Sequence, residues 1–269
     1  MSATTQTRTD LDPRTDRDPR VILVVGGAAG IGKAVAGALE ARGDIVAVLD
    51  RNPAEGEQPS GGHHVVDVRD QDSIEATIKA VVETHGGIDG LVYAAGALDG
   101  YATLEEITPQ VLDTVFAVNT FGALRVVQAV VPAMKERGQG RIVLFGSIAG
   151  SVAGAGGIAY TMSKHAVEGL VRHLAVELGP AGITTNCLAP GSITGTNIRT
   201  SITQMLPTQG IATNRGLGTS DPETAAKLYP VGRLGTVDAV VPSVLHLLED
   251  SSWFINGTTV TIDGGYICR

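Results

Sequence analysis

Short continuous runs of apolar residues alternate along the chain with longer stretches whose apolar residues recur every three or four positions. The runs indicate strands buried on both faces, and the periodic stretches predict amphipathic helices. The predicted strands are 21–25, 45–49, 64–66, 90–94, 141–145, 183–188 and 258–262. The predicted helices are 30–42, 72–85, 109–137, 158–179 and 238–249. Such alternation predicts one α/β domain, a doubly wound parallel sheet of about seven strands flanked by helices on both faces.

Three segments depart from this alternation. Residues 1–20 are polar, alternate Asp with Arg and lack an apolar core, so we expect a disordered tail before a single domain at 21–269. The helix predicted over 109–137 contains Pro132, which we expect to kink or split it. Residues 192–229 are Thr-rich and Gly-punctuated, which predicts a long loop that acts as a lid over a site.

Composition excludes several classes of function. The net charge is −8 without a basic cluster, which argues against nucleic acid or an anionic membrane as a partner. No uninterrupted apolar run reaches about 18 residues, so we expect no membrane span and a cytoplasmic protein. Cys187 and Cys268 lack the spacing of metal ligands and cannot form a disulfide scaffold, so we expect no metal site. Trp253 is expected in the core.

A glycine-rich turn lies between the first predicted strand and the helix that follows it. Residues 26–32 have the sequence Gly-Gly-Ala-Ala-Gly-Ile-Gly. Glycines here let the backbone approach a pyrophosphate, which the N-terminus of a helix favours. Asp50, at the end of the second strand, can accept from both ribose hydroxyls and would repel a 2′-phosphate. We therefore expect a Rossmann-type site for NAD rather than NADP, although Arg51 could tolerate a phosphate. Asp67 ends the third strand and could reach an adenine edge or simply form a turn.

Tyr160 and Lys164 stand four residues apart near the start of the helix predicted over 158–179. Residues at this spacing share one helical face, one turn apart. An ammonium beside a phenol favours the phenolate, so we expect Lys164 to lower the pKa of Tyr160 from about 10. A phenol tuned in this way can exchange a proton with an alcohol or ketone oxygen. Taken alone, the pair also fits a solvated helix face.

Together these residues resemble the short-chain dehydrogenase/reductase family. The similarity spans residues 21–266 and depends on the glycine-rich turn, on Ser147 thirteen residues before Tyr160, and on Lys164 four residues after it. The other matching positions are Asp50, Asp67, Asn119 and Pro190-Gly191. The resemblance implies a Rossmann-type fold and a nicotinamide cofactor.

The resemblance also implies a role for each matching side chain. Tyr160 would be the general acid/base, and Lys164 would lower its pKa and bind the nicotinamide ribose. Ser147 would hydrogen-bond the substrate oxygen, and Asn119 would hold a water in the proton relay behind Lys164. The implied catalytic residues are Asn119, Ser147, Tyr160 and Lys164. The implied cofactor-binding residues are Gly26, Ala29, Gly30, Ile31, Gly32, Asp50, Arg51, Asp67, Val68, Ala94, Gly96, Tyr160, Lys164, Pro190, Gly191 and Ile193.

Three positions depart from the family pattern. Val25 stands where the family usually has Thr, and Tyr93 opens a segment that is usually Asn-Asn-Ala-Gly. We expect apolar packing to replace the hydrogen bond that these two positions normally support. Gly195 stands where a threonine often contacts the cofactor, and Thr194 or Thr196 could substitute for it.

The sequence therefore predicts an NAD-dependent oxidoreductase that interconverts a secondary alcohol, or a dihydrodiol, and a ketone. The small residues 148–157, with Leu98, Tyr101 and the 192–229 segment, predict a pocket for a neutral, fairly apolar small molecule. Two alternatives remain open: a non-catalytic NAD-binding sensor or scaffold, and an epimerase or dehydratase that uses bound NAD transiently. By the same resemblance we expect a homotetramer formed through the two longest helices.

Overall fold

The computed structural model describes residues 19–54, 56–217 and 221–269. Its strands are β1 (Val21–Val25), β2 (Ile45–Asp50), β3 (His63–Val65), β4 (Gly90–Tyr93), β5 (Gly140–Phe145), β6 (Ile183–Pro190), β7 (Ile193–Thr194), β8 (Gly235–Thr236) and β9 (Thr259–Ile262). Seven of them form one parallel sheet in the order β3-β2-β1-β4-β5-β6-β9. A separate pair, β7 and β8, forms a small parallel sheet. The predicted doubly wound α/β fold is confirmed.

Helices cover both faces of the large sheet. They are α1 (Gly30–Glu40), α2 (Gln71–His85), α3 (Pro109–Phe116), α4 (Ala123–Arg137), α5 (Ile158–Leu178), α6 (Ile198–Met205), α7 (Pro222–Ala226) and α8 (Val237–Leu248). Leu23 of β1 packs into the core that α2, α4 and α5 cover, whereas Ile22 and Val24 pack into the core under α1 and α8. Successive side chains therefore enter opposite cores, which explains why the strand is a continuous apolar run.

The strand order reverses at β1, which pairs with β2 on one side and with β4 on the other. The chain leaves β1 toward one edge of the sheet and later returns to fill the opposite half. At such a reversal the connections that leave the carboxyl ends diverge, and a crevice opens between them. The turn after β1 and the segment after β4 border this crevice.

Local sequence sets several of the helix ends. The Asp70 side chain accepts from Ser73 N at 3.2 Å at the start of α2. Thr108 accepts from Val111 N at 3.3 Å, and Pro109 occupies the first turn of α3. These are the residue types that favour helix N-termini, because they satisfy N–H groups that lack partners within the helix.

The helix predicted over 109–137 is interrupted, but Pro132 is not the cause. Pro132 lies inside α4, and the irregular stretch is a π-helical segment, Ala117–Gly122, between α3 and α4. The Tyr93 hydroxyl donates to the Val118 carbonyl at 2.7 Å within this segment. A tertiary contact of this kind takes a carbonyl that helical bonding would otherwise use, and π-segments are frequent at functional sites.

Two predicted boundaries change in the structure. Residues 1–18 of the expected tail lie outside the described residues, but Arg20 is buried, pairs with Asp44 at 3.4 Å and donates to the Leu248 carbonyl. The folded domain therefore includes Arg20, because its guanidinium joins α8 to the loop before β2. The 192–229 segment is also more regular than expected, since it contains β7, α6 and α7.

The expected burial of one aromatic residue is wrong. Trp253, expected in the core, is 64% exposed and packs edge-on against Phe254, which is itself 85% exposed. Both lie in the connection from α8 to β9. The two cores are filled mainly by Val, Leu, Ile and Ala side chains.

One helical stretch among the described residues, Pro109–Arg137, is apolar and long enough to cross a membrane by length and composition. Half of its most apolar window is buried within the protein. Its buried residues Val126, Val130 and Met134 belong to the core on the α2 side of the sheet. A core helix passes the same test of length and composition.

Two helical glycines provide a matched test of packing at the π-segment. A Cβ at Gly122 would meet the Tyr93 hydroxyl at 2.5 Å and Val68 at 2.9 Å, whereas a Cβ at Gly37 in α1 would meet nothing within 4 Å. We expect Gly122→Ala to lower the free energy of unfolding by about 1–3 kcal/mol. Gly37→Ala should raise it by about 0.5–1 kcal/mol. Urea denaturation measures both free energies of unfolding. Equal changes in the two variants would contradict the steric crowding at Gly122.

Candidate active site

A cleft with about 1240 Å³ of empty space lies at the carboxyl edge of the large sheet. Every cofactor-binding residue implied by the sequence lines it: Gly26, Ala29, Gly30, Ile31, Gly32, Asp50, Arg51, Asp67, Val68, Ala94, Gly96, Tyr160, Lys164, Pro190, Gly191 and Ile193. Ser147 lines it as well, whereas Asn119 lies behind the wall that its neighbour Val118 forms. The structure thus brings into one cleft residues that are scattered over most of the sequence.

The glycine-rich turn has the geometry of an anion site. Gly26 has φ +82°, and a Cβ there would lie 2.6 Å from Ala95 N. A Cβ at Gly32 would collide with the Gly26 carbonyl, so both glycines are sterically required. Helix α1 begins at Gly30, and no side chain caps its N-terminus. Its first N–H groups therefore lack helical partners and favour an anionic ligand such as a pyrophosphate.

Asp50 is held firmly at the wall of the cleft. Its Oδ2 accepts from Ala28 N at 3.0 Å, and its Oδ1 accepts from Asn52 N at 2.9 Å. The carboxylate thereby ties the end of β2 to the glycine-rich turn. Its remaining lone pairs are available to accept hydroxyl donors from a ligand.

Arg51 connects the same wall to the 192–229 segment. Its guanidinium donates to Gln204 Oε1 at 2.5 Å and to the Ser201 carbonyl at 3.4 Å, both in α6. The cleft-lining residues that the sequence analysis did not name include Asn52, Asn197, Ile198, Ser201, Gln204 and Met205. Ile198, Ile202 and Met205 have helical spacing, a signal that could have shown α6 within the supposed loop.

Asp67 lines the cleft but has a strong partner of its own. Arg69 Nε donates to Asp67 Oδ1 at 2.9 Å, and Arg69 Nη2 donates to Oδ2 at 2.6 Å. The hydrogen bonds and charge of this guanidinium lower the pKa of Asp67. The carboxylate is therefore an ionised acceptor at the edge of the cleft, and its contact with an adenine stays a prediction.

Ser147, Tyr160 and Lys164 meet at the opposite end of the cleft. Ser147 follows β5, and its Oγ accepts from Ala149 N at 3.2 Å, which leaves its hydrogen and its second lone pair for other partners. Tyr160 is buried in the first turn of α5, and its phenol is hydrogen-bonded to Ser147. Lys164 Nζ donates to the Phe145 carbonyl at 2.8 Å and lies 5.4 Å from the centre of the Tyr160 ring.

The electrostatics of this group differ from the sequence-based expectation. Burial raises the pKa of Tyr160, and the hydrogen bond from Ser147 opposes that shift only in part. Burial also lowers the pKa of Lys164 to about 8. The expected lowering of the tyrosine pKa is therefore wrong for this structure, because desolvation outweighs it and the ammonium bonds the Phe145 carbonyl.

Asn119 lies in the π-segment, where its side chain joins two elements. Its Oδ1 accepts from Ala97 N at 2.7 Å, and its Nδ2 donates to the Ala97 carbonyl and to Ser163 Oγ, each at 3.0 Å. The amide thus ties the segment after β4 to α5, one residue before Lys164. Its role in a water relay stays a prediction.

The structure shows which contacts are made at the positions that depart from the family pattern. Val25 is fully buried, as expected of apolar packing, but Tyr93 makes a new hydrogen bond to Val118 rather than an apolar contact alone. Thr196 lines the cleft, whereas the Thr194 hydroxyl donates to the Gly235 carbonyl in β8. Of the two threonines, Thr196 is therefore the one placed to contact a ligand.

An apolar cluster packs around Tyr160. Of its members, Tyr160 and Ile198 line the cleft, and the others form an apolar wall behind them. Leu98, Tyr101 and the 148–157 segment meet there, as the sequence predicts for the substrate pocket. The whole cluster consists of Leu98, Ile148, Ala149, Ala155 and Tyr160, with Tyr101, Val152, Ile198, Leu217, Tyr266 and Ile267 packed against it. Sequence reasoning missed Tyr266 and Ile267, because nothing in the last residues of a chain shows that they fold back over a distant site.

Comparisons with known proteins agree with this geometry. A family profile described as Enoyl-(Acyl carrier protein) reductase matches residues 26–267. The chain is 33% identical over 256 residues to 2-(S)-hydroxypropyl-CoM dehydrogenase 3 of Xanthobacter autotrophicus, covering 91% of this chain and 95% of that one. It is 34% identical over 279 residues to D-threitol dehydrogenase of Mycolicibacterium smegmatis, covering 100% of both chains. The solved structure of ElxO with NADP bound matches with a TM-score of 0.81 and 26% identity, covering 94% of this chain and 100% of that one. This chain therefore belongs to the short-chain dehydrogenase/reductase family of oxidoreductases.

Proposed function

We propose that this protein is an NAD-dependent dehydrogenase or reductase that interconverts a secondary alcohol and a ketone, with Tyr160 as the general acid/base. The observation that carries the proposal is the meeting of the Tyr160 phenol, the Ser147 hydroxyl and the Lys164 ammonium at one end of the cleft. The dehydrogenases among the relatives support the same class of reaction.

The residues of the cleft divide into those that bind and those that move a proton. Gly26, Gly32 and the N-terminus of α1 would hold the pyrophosphate, and Asp50 would accept from the adenosine ribose. When bound, NAD would supply the hydride acceptor for alcohol oxidation and, in its reduced form, the hydride donor for ketone reduction. The protein contributes orientation, exclusion of water and the proton.

Ser147 and Tyr160 would act on the substrate oxygen. Ser147 Oγ accepts from Ala149 N and is hydrogen-bonded to the Tyr160 phenol. With substrate bound, its one hydrogen would be donated toward the substrate oxygen, and its second lone pair could accept from the phenol. Burial raises the pKa of Tyr160, so the phenol is protonated at neutral pH and suited to protonate a ketone oxygen. Alcohol oxidation needs the phenolate instead, so its rate should rise with pH. Lys164 and Asn119 would reconnect this proton to solvent.

The choice of NAD over NADP rests on two side chains. The Asp50 carboxylate would repel a 2′-phosphate at the ribose it faces. Arg51, the cation best placed to attract that phosphate, is engaged by Gln204 and the Ser201 carbonyl in α6. ElxO is solved with NADP, so this fold can hold NADP, and the proposed preference for NAD depends on these individual residues.

The apolar wall indicates the chemical class of the substrate. The side chains grouped beside Tyr160 are aliphatic or aromatic, including Leu98, Ile148 and Tyr266. A wall of this kind lowers the free energy of a neutral, apolar ligand and penalises a charged one. We therefore expect a neutral secondary alcohol or ketone with an apolar substituent.

Replacing the phenol tests the reaction. We expect Tyr160→Phe to reduce turnover of secondary alcohols by about 10²–10⁴-fold, because the proton-transferring group is removed. Reduced-nicotinamide absorbance with a panel of alcohols measures turnover. Calorimetric titration should show that NAD still binds, because the aromatic ring and the glycine-rich turn remain. A variant with full turnover would remove Tyr160 from the mechanism.

The same assay separates the two alternative functions. A sensor or scaffold would bind NAD but turn over none of the alcohols or ketones. An epimerase or dehydratase would convert its substrate without net change in nicotinamide absorbance, which product analysis by mass spectrometry detects. The proposed function requires equal amounts of oxidised substrate and reduced cofactor.

Releasing Arg51 tests the cofactor preference. We expect Gln204→Ala to increase kcat/KM with NADP by about tenfold, equivalent to about 1.4 kcal/mol, because the freed guanidinium can meet the 2′-phosphate. Activity with NAD should change little. Thr203→Ala is the matched control, since its hydroxyl donates to the Thr200 carbonyl within the same helix. Equal NADP activity in both variants would contradict the proposal that Gln204 keeps Arg51 from the 2′-phosphate.

Replacing Lys164 tests its burial. With a pKa of about 8 in the folded protein and about 10.4 when unfolded, Lys164 makes the unfolded state bind more protons between these values. Stability of the wild type should therefore rise with pH across that window. Lys164→Met should be more stable than the wild type at pH 7.5 by an amount on the order of 2–3 kcal/mol, and the difference should shrink toward pH 10. Urea unfolding at three pH values measures these stabilities, and Lys33→Met, at an exposed residue, is the control. A stability difference between Lys164→Met and the wild type that does not change with pH would refute the lowered pKa of Lys164.

A further inference from the structure

Asp99 carries a buried carboxylate that the proposed reaction does not use. It lies after β4, and the residue is only 1% exposed. Within the described part of the chain, its interactions are with main-chain N–H groups rather than with a cation. Its Oδ1 accepts from Gly157 N at 3.0 Å and from Tyr101 N at 3.2 Å, and its Oδ2 accepts from Tyr160 N at 3.0 Å. Isolated carboxylates are rarely buried so completely, so this one calls for a functional explanation.

Two of the three donors form the N-terminus of α5, the helix that carries Tyr160 and Lys164. Gly157 precedes the first residue of α5 and has no side chain, so the helix has no cap from its own N-terminal turn. Asp99 supplies that cap from 58 residues earlier in the sequence. A carboxylate in this position satisfies free N–H groups and is favoured by the helix dipole.

Gly157 is what allows the carboxylate to approach. A Cβ at this residue would lie 2.5 Å from Asp99 Oδ1, 2.6 Å from Oδ2 and 2.6 Å from Ala102 N. Any larger residue would therefore push the loop away from the helix. The missing side chain at the helix start and the carboxylate from the loop are two parts of one contact.

The same carboxylate arranges the substrate wall. Its bond to Tyr101 N accompanies a left-handed backbone at Tyr101, with φ +58°. From that position the Tyr101 hydroxyl donates to the Ala155 carbonyl and accepts from Leu217 N, each at 3.1 Å. Strained backbone persists only where surrounding contacts hold it, and it is enriched at active sites. Asp99 thus joins the helix of Tyr160, the apolar wall and the 192–229 segment.

We propose that Asp99 is a positioning residue whose buried carboxylate caps α5 and determines where the Tyr160 phenol stands relative to Ser147 and the substrate wall. This inference rests on the proposed function, because it takes Tyr160 as the group that transfers the proton. Asp99 accepts from the backbone of Tyr160 rather than touching the reacting atoms, so it acts through the tyrosine.

The charge of Asp99 has a second effect on Tyr160. Burial is the main reason that the pKa of Tyr160 is raised, and the negative charge of Asp99 raises it further. Among the described residues, the other titratable groups near this pair are Tyr101, Lys164 and Tyr266. Across the small cavity beside Asp99 lie Glu106 and Arg215, which pair with each other at 2.6 Å.

The substitution Asp99→Asn keeps the size of the side chain but removes its charge and one acceptor oxygen. Its amide group would then face an N–H donor at either Gly157 or Tyr160. We expect kcat for alcohol oxidation to fall by about tenfold to a hundredfold, because small misplacements of a catalytic group have effects of this size. The affinity for NAD should stay within about twofold, since the glycine-rich turn is untouched. The pH at which oxidation reaches its plateau should move downward, because losing a nearby negative charge favours the phenolate.

Hydrogen–deuterium exchange gives a readout that does not depend on turnover. In Asp99→Asn the amides of Gly157 and Tyr160 should exchange faster than in the wild type, because their acceptor is weakened. Exchange in α2 should be unchanged. Protection equal to the wild type at both amides would overturn the capping contact.

Two further variants distinguish the loss of the Asp99 contact from a general loss of helix stability and from the loss of its charge. Asp70→Asn makes the same substitution at an exposed carboxylate that caps α2 from its own sequence. It should leave kcat and the pH profile unchanged. Gly157→Ala displaces the Asp99 carboxylate without removing its charge. It should lower kcat as Asp99→Asn does, with a smaller downward shift of the pH profile.

Each outcome decides the inference. A folded Asp99→Asn with wild-type kcat and pH profile overturns it, as does an equal loss of kcat in Asp70→Asn. If Asp99→Asn is not recovered folded, Gly157→Ala decides alone, and wild-type kcat there overturns the inference. Failure of the proposed function gives a different result. In that case the wild type would show no turnover, or Tyr160→Phe would retain turnover. The inference about Asp99 would then fail together with the proposed function.

Discussion

All seven strands of the large sheet run in one direction, so their carboxyl ends meet at a single edge. This constraint places the turn after β1, Asp50 at the end of β2, Ser147 after β5 and Pro190 at the end of β6 around one cleft. Because the sheet is buried on both faces, that edge is where its connections can reach a ligand. The chemistry of the protein depends on this arrangement of strand ends.

Helices add the remaining groups through specific hydrogen bonds. The π-segment between α3 and α4 presents Asn119, whose amide ties the chain after β4 to α5. Asp99 caps α5 from the same connection, so the segment after β4 holds α5 at two points. The burial that accompanies this fixation raises the pKa of Tyr160 and lowers that of Lys164, which keeps the phenol protonated at neutral pH.

The two ends of the cleft differ in what they contribute. The end lined by the glycine-rich turn and Asp50 offers N–H groups and a carboxylate, which suit a dinucleotide. Behind the other end lies the apolar wall, to which Tyr266 and Ile267 contribute. Helix α6 touches both, because Arg51 bonds Gln204 while Ile198 packs toward the wall. Helix α6 therefore contacts both the proposed cofactor side and the proposed substrate side of the cleft.

Sequence alone determined the seven strands of the large sheet, most of the helices between them, the family and most residues of the cleft. Apolar periodicity, the glycine spacing and the spacing of Ser147, Tyr160 and Lys164 are local properties of the chain. Only tertiary structure decided the rest. The break in the 109–137 helix lies at the π-segment where Tyr93 bonds Val118, and not at Pro132. The direction of the pKa shifts follows from burial, and the cap of α5 comes from a residue 58 positions away. Desolvation and long-range hydrogen bonds depend on which segments pack together, and no local pattern in a single chain records that.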